Sequence, residues 1–224
     1  MLDCATSTKK EGGGDMANQE PQNERFSEED EAPARKRPRP GERRLQILQT
    51  LAAMLEQPGA ERVTTASLAA KIGVSEAALY RHFASKAQMF EGLIDFVEQS
   101  VIGLIRQVTD REPAGPVQAS RIVALLLQFA EKNPGMSRVM IGDALVLEHE
   151  RLQERINLLF DKIEAQLRQS LRDANAASAT PTVDTQVQAS VLVAFMQGRL
   201  QRFARSGFKR LPSEHLQAAL ARVL

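Results

Sequence analysis

The stretch TTASLAAKIGVSEAALYRHFASKAQMF, residues 64–90, contains several helix-start signals in close succession. Small hydroxyl residues cap helix N-termini well, because their side chains accept hydrogen bonds from backbone N–H groups that have no partner within the helix. The candidates for this role are Thr64, Thr65, Ser75 and Ser85. Gly73 suits a tight turn between two of them, since glycine adopts positive φ at little cost. The pattern predicts short helices at 66–72 and 76–83 and a long helix that begins at Lys86.

An amphipathic segment, residues 41–59, precedes this stretch. Its apolar residues recur at helical spacing, at Leu45, Leu48, Leu51, Ala52 and Leu55. One helix followed by two short helices with a Gly turn is the order of a helix-turn-helix DNA-binding unit. The alternative is an ordinary helical hairpin that uses its Tyr and Phe side chains as core.

In such a unit the N-terminal part of the second short helix enters the major groove of DNA. The residues exposed at that end, Ser75, Glu76 and Ala77, are short enough for close approach. Aromatic, cationic and helix-start residues around them can reach phosphate oxygens. The predicted DNA-binding residues are Thr64, Thr65, Ser75, Glu76, Ala77, Tyr80, Arg81, His82 and Lys86.

The formal net charge of the 224 residues is only +1, so a contact with nucleic acid has to come from a local basic patch. A basic block at 35–39 lies in a polar segment that is rich in Gly and Pro and poor in large apolar residues. Residues 1–40 are therefore predicted to form a disordered tail with a basic arm that reaches DNA. A tail that only improves solubility is the alternative.

Several other classes of protein are disfavoured. The single cysteine, Cys4, suits a reducing cytosol, and no apolar run approaches the roughly 20 residues that span a bilayer. The three histidines lie on separate segments without metal-ligand spacing, and no catalytic fingerprint is present. The sequence thus predicts a cytoplasmic protein that is not an enzyme, uses no metal or cofactor and does not enter a membrane.

Beyond residue 86 the spacing predicts helices over almost the whole remaining chain, with no strand pattern. They are expected at about 86–111, 117–132, 136–147, 149–174, 184–206 and 213–223. The last two long helices carry apolar stripes, and the small pair Ala194 and Gly198 lets a neighbouring helix come close. This face predicts a two-fold homodimer.

The run VTTASLAAKIGVSEAALYRHFASKAQMF, residues 63–90, resembles the DNA-binding domain of the TetR family. Further stretches, at 73–100, 121–172 and 202–212, are similar to the nucleoid occlusion factors within that family. The resemblance implies a homodimer that binds specific, palindromic sites in double-stranded chromosomal DNA. It also implies that the DNA-bound dimer associates with the nucleoid, binds the C-terminal tail of FtsZ, the tubulin-like division protein, and blocks assembly of its ring.

The resemblance also implies an all-α fold of about nine helices. A TetR-type N-terminal helix-turn-helix domain is expected at 41–88, after the tail at 1–40. A C-terminal helical bundle for dimerisation and partner binding is expected at 89–224.

Two apolar residues lie off the stripes of their helices. At 100° per residue, Phe96 lies roughly 100° from the centre of the apolar stripe of the long helix, and Leu125 roughly 120° from that of the next helix. Either a bundle buries both faces of these helices, or the two side chains form a peptide groove. The resemblance implies the groove, with FtsZ contacts at Phe96, Leu125, Gln128, Lys132 and Asn133. Lys132 stands where the family carries Arg, and Gln128 stands where it carries Gly.

Three functions remain open from the residues. The first is a division inhibitor activated by DNA. The second is a conventional TetR-type transcriptional repressor released by a small ligand, which needs convergent polar groups in a pocket of the 117–206 bundle. The third is a helical adaptor that binds no DNA.

Overall fold

The computed structural model describes residues 41–57, 63–176 and 184–224, and every regular element in these ranges is helical. The α-helices are α1 (Glu42–Leu55), α2 (Thr65–Ile72), α3 (Glu76–Tyr80), α4 (Lys86–Thr109), α5 (Pro116–Lys132), α6 (Pro134–Met140), α7 (Glu150–Ala176), α8 (Thr185–Arg205) and α9 (Leu216–Leu220). A short 3-10 helix, Asp143–Leu145, lies between α6 and α7. The expected all-α fold is confirmed for these ranges, whereas the predicted tail at 1–40 lies outside them.

The helix starts expected around the turn are confirmed. The Thr64 side chain accepts a hydrogen bond from the backbone N–H of Ser67, and the Ser67 side chain in turn accepts one from the N–H of Thr64, which makes a capping box. Ser75 and Ser85 cap α3 and α4 in the same way, each by accepting from the N–H three residues on. Gly73 ends α2 with a φ of 76°, in the left-handed region that favours glycine. Four local choices therefore fix the path from α2 to α4.

Helix α1 buries a different face from the one that its leucine spacing suggests. Ile47, Leu51 and Leu55 follow one another at four-residue intervals and are fully buried. The prediction that placed Leu45 on the buried face was wrong, since its side chain is 56% exposed. Leu45 lies two residues, about 200°, from Ile47 and so points away from the core. An exposed leucine on this helix then needs another explanation.

Two glycines let α1 approach the rest of the molecule closely. A Cβ added at Gly135 of α6 would lie 2.2 Å from the carbonyl oxygen of Ala52 in α1. A Cβ added at Gly92 of α4 would lie 3.0 Å from a methyl carbon of Leu48. Because the contact at Gly135 is with backbone, any side chain there would push α1 away. The position of α1 against α4 and α6 therefore depends on these two small residues.

The C-terminal helices form a bundle around a continuous apolar core. The predicted stripe of α7 is confirmed as fully buried at Leu152, Ile156, Leu159, Ile163 and Leu167. Helix α4 contributes a long buried face to the same core and begins directly after the turn that follows α3. It therefore connects the helix-turn-helix unit to the bundle without a break.

Three expected helix lengths need correction. The helix expected at 136–147 is in fact α6 followed by the 3-10 helix, because Gly142 adopts a φ of 79° between them. Helix α3 ends at Tyr80, three residues before the expected end. The last helix is shorter than expected and starts after His215, which has a φ of 52°. Positive φ values interrupt an α-helix, and neither of these two was evident from apolar spacing.

Candidate DNA interface and partner groove

The N-terminal end of α3 presents short side chains on the surface. Ser75, Glu76 and Ala77 are all exposed, whereas Leu79 is fully buried and anchors the helix to the core. Tyr80 is 45% exposed, so its hydroxyl is free to reach beyond the protein surface. This geometry lets one face of α3 approach a major groove while the other face packs.

Two of the predicted DNA-binding residues are joined to each other. The Thr65 hydroxyl, at the start of α2, donates a hydrogen bond of 2.6 Å to a carboxylate oxygen of Glu76, at the start of α3. Glu76 keeps further acceptor capacity, because an ionised carboxylate has about four lone-pair sites. The bond orients this carboxylate next to exposed Ala77. A carboxylate held in this way can accept from the exocyclic amine of a cytosine.

Lys86 is not a free cation in the structure. Its ammonium pairs with the carboxylate of Glu148, which lies in the segment before α7 and is 11% exposed at its side chain. The same ammonium lies 5.6 Å from the centroid of the Phe90 ring. Lys86 can therefore reach a DNA phosphate only by exchanging Glu148 for it. Nothing in the spacing of two residues 62 positions apart indicated this pair.

Arg44 is a contact that sequence reasoning missed, because it appeared only as a continuation of the basic tail. Its guanidinium donates a hydrogen bond of 2.8 Å to the backbone carbonyl of His82. The guanidinium carbon also lies 4.0 Å from the centroid of the Phe83 ring, within the range of a cation–π interaction. Arg44 thus ties α1 to the segment that follows α3, where Arg81 and His82 are both exposed.

A row of ion pairs continues from Lys86 along α4 and α7. Arg151 pairs with Glu91 at 2.8 Å, and Arg155 pairs with Asp95 at 2.8 Å and Glu98 at 2.6 Å. Burial disfavours the charged form of Arg155, but its hydrogen bonds and the charges of Asp95 and Glu98 outweigh burial and raise the pKa of the guanidinium. The row therefore stays charged and holds α4 against α7.

Phe96 emerges from α4 next to the C-terminal end of α5. Its side chain is 47% exposed, and its ring centroid lies 6.3 Å from that of Phe129. The Asn133 amide donates a hydrogen bond of 2.7 Å to the carbonyl oxygen of Phe129, which fixes the end of α5. Phe129 was not among the predicted residues, although it lies four positions, one helical turn, after Leu125.

The five predicted partner contacts do not share one cavity. Phe96 and Asn133 line a groove of about 290 Å³ between α1, α4 and α6. Leu125, which is half-buried, instead lines a smaller cavity of about 180 Å³ between α5 and the end of α4. Of the other two, Gln128 lies exposed on α5 and Lys132 lies exposed at its C-terminal end. The structure therefore places these side chains along one region of α4 and α5 rather than around a single pocket.

Helix α8 carries an apolar stripe that the described chain leaves uncovered. Val187 is 57% exposed, and Val191, Ala194 and Gly198 continue the stripe at helical spacing on the surface. Leu158 of the adjacent helix α7 is exposed as well. A Cβ added at Gly198 would meet nothing within 4 Å. This face was predicted from the small residues of α8, and it is available for a neighbouring helix.

Two negative observations apply to the ranges 41–57, 63–176 and 184–224. No group of three or more His, Cys, Asp or Glu side chains there could hold a metal ion. None of the helices in those ranges combines the length and apolar character needed to cross a bilayer.

Two family models match the chain. The one described as bacterial regulatory proteins, tetR family, matches residues 47–93, and the one described as tetracyclin repressor-like, C-terminal domain, of the SlmA-like type, matches residues 116–222. The first covers α2, α3 and most of α1, together with the start of α4. The second covers the bundle from α5 to α9.

Solved structures share the fold at low sequence identity. The TetR family transcriptional regulator PfmR from Thermus thermophilus superposes with a TM-score of 0.66 at 20% identity, covering 80% of this chain and 97% of that one. AibR, in complex with isovaleryl coenzyme A and operator DNA, gives a TM-score of 0.65 at 16% identity over 80% and 97% of the two chains. These identities support the fold alone.

Relatives of known name are much more similar in sequence. The nucleoid occlusion factor SlmA of Idiomarina loihiensis is 51% identical over 177 residues, which are 79% of this chain and 90% of the relative. The protein of the same name from Shewanella woodyi is 49% identical over 176 residues, 78% and 89% of the two chains. With matches of this length and identity, and with both family models, the chain belongs to the nucleoid occlusion factors of the SlmA type, within the TetR family.

Proposed function

We propose that the protein is a homodimer that binds palindromic chromosomal DNA and, while bound there, binds the C-terminal tail of FtsZ and inhibits assembly of the division ring. Family membership together with the half-exposed Phe96, next to the exposed Lys132 region of α5, carries this proposal. Sedimentation of FtsZ filaments, with and without the DNA site, tests it.

The DNA half of the proposal assigns reading to α3 and positioning to the residues around it. Ser75, Glu76 and Ala77 would face base edges, with Glu76 oriented by Thr65. The phosphate contacts would come from the start of α2 at Thr64 and Thr65 and from Tyr80, Arg81, His82 and Lys86. The helix-turn-helix unit is proposed to end near residue 88, and the regulatory bundle to follow it.

The dimer is supported by the uncovered stripe of α8. A two-fold axis through this face would pair each stripe with its copy and remove the exposed valines from water. Gly198 would let the two α8 backbones come close, as small residues do at helix crossings. A dimer also places one α3 in each half of a palindromic site.

The alternative, a conventional repressor released by a small ligand, has weaker support. Three of the polar side chains buried in the described bundle bond to carbonyl oxygens of nearby backbone: Gln118 to Glu112, Ser137 to Ala130 and Ser170 to Gln166. Polar groups that are satisfied locally do not converge on a ligand. The fourth, Arg138, lies near Asp143 and the Phe208 ring. We therefore favour the division inhibitor.

DNA affinity should depend steeply on salt and on the pair of Lys86 with Glu148. If the dimer neutralises on the order of 6–10 phosphates, log K plotted against log salt should have a slope of about −5 to −9. Replacing Lys86 by Gln should weaken binding to all sequences alike and make the slope shallower by about 1 per lost contact. Fluorescence anisotropy of a labelled DNA site over a salt series measures both.

The matched variant is Glu148→Gln, which removes the competitor of the phosphate but keeps the shape of the side chain. It should raise DNA affinity severalfold at low salt, because Lys86 no longer has to leave an ion pair before it binds phosphate. A flat salt response of the unmodified protein, or an unchanged slope for Lys86→Gln, would contradict this assignment.

A further inference from the structure

The groove beside Phe96 has a wall that no prediction from sequence included. Its lining comes from three elements: Leu45, Leu48, Gln49, Ala52, Ala53 and Glu56 of α1, Leu93 and Phe96 of α4, and Asn133 and Met136 at the start of α6. The volume of about 290 Å³ is enough for one or two side chains of a peptide. Most of this lining comes from α1, a helix of the helix-turn-helix unit.

The chemistry of the groove suits an apolar side chain on an extended backbone. Leu48, Leu93, Phe96 and Met136 supply an apolar lining. The amides of Gln49 and Asn133 also belong to the lining and can bond to the N–H and C=O groups of a peptide. This combination of an apolar interior with a few polar groups is typical of peptide-binding sites.

Leu45 is exposed in a way that the fold does not require. It lies 56% exposed on the side of α1 opposite the buried Ile47, yet it lines the groove with Phe96. An exposed leucine next to an exposed phenylalanine enlarges the apolar surface that a partner can cover. The close contacts of α1 at Gly92 and Gly135 keep this wall at a defined distance from α4 and α6.

We infer that α1 forms a third wall of the FtsZ-tail site, with Leu45 and Gln49 in direct contact with the bound segment. The inference rests on the proposed function, because Phe96 and Asn133 belong to both the groove and the proposed tail site. This continuity favours the tail over a second copy of the chain or a small ligand. An apolar side chain of the tail occupies the groove, while the rest of the segment follows α5 past Lys132.

The same helix connects this site to the DNA reader. Arg44, next to Leu45, bonds to the carbonyl of His82 and stacks on Phe83, directly after α3. A shift of α3 on DNA is therefore transmitted to α1, and with it to the wall of the groove. Partner binding then involves two groups of helices whose relative position DNA can change, which is a physical basis for coupling between the two sites.

Replacing Leu45 by Gln tests the third wall. The side chain keeps its size and stays neutral, so neither the fold nor the attraction to DNA should change. Affinity for a labelled FtsZ-tail peptide, measured by anisotropy with saturating DNA, should fall about fivefold or more, because the partial burial of one leucine contributes roughly 1 kcal/mol. Val117→Gln is the matched control, since Val117 is an exposed apolar residue at the far end of α5, roughly 22 Å from Lys132 along the helix.

The outcomes separate this inference from the proposed function. Loss of tail binding in Leu45→Gln, with Val117→Gln unchanged and DNA affinity retained in both, supports the third wall. Wild-type binding by Leu45→Gln, when Leu125→Glu has lost binding, overturns the third wall and leaves the proposed function intact. A change in dimer mass caused by Leu45→Gln assigns the groove to contacts between copies and overturns the inference as well. If the unmodified protein does not bind the peptide, the proposed function fails and the inference fails with it.

Discussion

Replacing Gly198 by Arg should convert the dimer into monomers and lower affinity for a palindromic DNA site roughly 10²–10⁴-fold, the range by which linked binding units exceed single ones. In the single chain this position is open, because a Cβ there meets nothing within 4 Å. The monomer should therefore fold normally and gain some helix propensity, since arginine is a better helix former than glycine. At a two-fold helix crossing, the same side chain would hold the two α8 backbones apart and bring two like charges together.

Gly103→Arg provides the control for this experiment. Gly103 lies within α4, and a Cβ added there also meets nothing within 4 Å, but it is not on the α8 stripe. Sedimentation velocity gives the mass of each variant, and thermal melting shows whether each one folds. If Gly198→Arg remains dimeric and binds the DNA site as the unmodified protein does, the dimer face is misassigned. If Gly103→Arg alone is monomeric, a different face forms the dimer.

Replacing Leu125 by Glu should lower affinity for the FtsZ tail by at least about 30-fold, the loss expected from removal of a binding hot spot of 2 kcal/mol or more. Leu125 is half-buried beside the end of α4, so a carboxylate there would lose hydration when the tail covers it. The tail of FtsZ, as the family resemblance suggests, is acidic and apolar, so the new charge would also repel it. Anisotropy with a labelled tail peptide in the presence of the DNA site measures the loss.

Two further variants define what this loss means. Leu125→Met keeps an apolar side chain of similar volume and should retain binding. Lys132→Asp should weaken binding at low salt more than at high salt, because an exposed charge is screened by ions. None of these residues lies in the helix-turn-helix unit, so DNA affinity should survive all three changes. The partner assignment is wrong if folded, dimeric Leu125→Glu protein binds the tail as tightly as the unmodified protein.

The path around the turn could be predicted from sequence because its determinants are local. A hydroxyl side chain three residues before the N–H that it caps, and a glycine with positive φ, depend on adjacent positions only. The buried stripe of α7 was predictable for a similar reason, since one helix face meets one core. Leu45 was misplaced because α1 carries apolar residues on two faces, and spacing alone does not say which of them is covered.

The contacts that connect the two functional sites could not be predicted, because they join residues far apart in the chain. Lys86 and Glu148 are 62 positions apart, and Arg44 and His82 are 38 apart. Charged side chains occur throughout the sequence, so no local pattern selects these pairs. The wall that α1 provides to the groove depends in the same way on packing, in particular on the close contact at Gly135. Periodicity placed Phe96 and Leu125 off their stripes, but only the fold puts α1 and Phe129 next to Phe96.

The most direct test of the central claim is sedimentation of FtsZ filaments in the presence of GTP and this protein, with and without a palindromic DNA fragment selected for tight binding. The proposed function predicts that the protein with its DNA site removes most FtsZ from the pellet, whereas the protein with a scrambled fragment, or without DNA, removes much less. The difference should correspond to a coupling of typically 1–3 kcal/mol between the two sites, about 5- to 150-fold in affinity. Equal pelleting of FtsZ with the selected and the scrambled DNA would contradict the account.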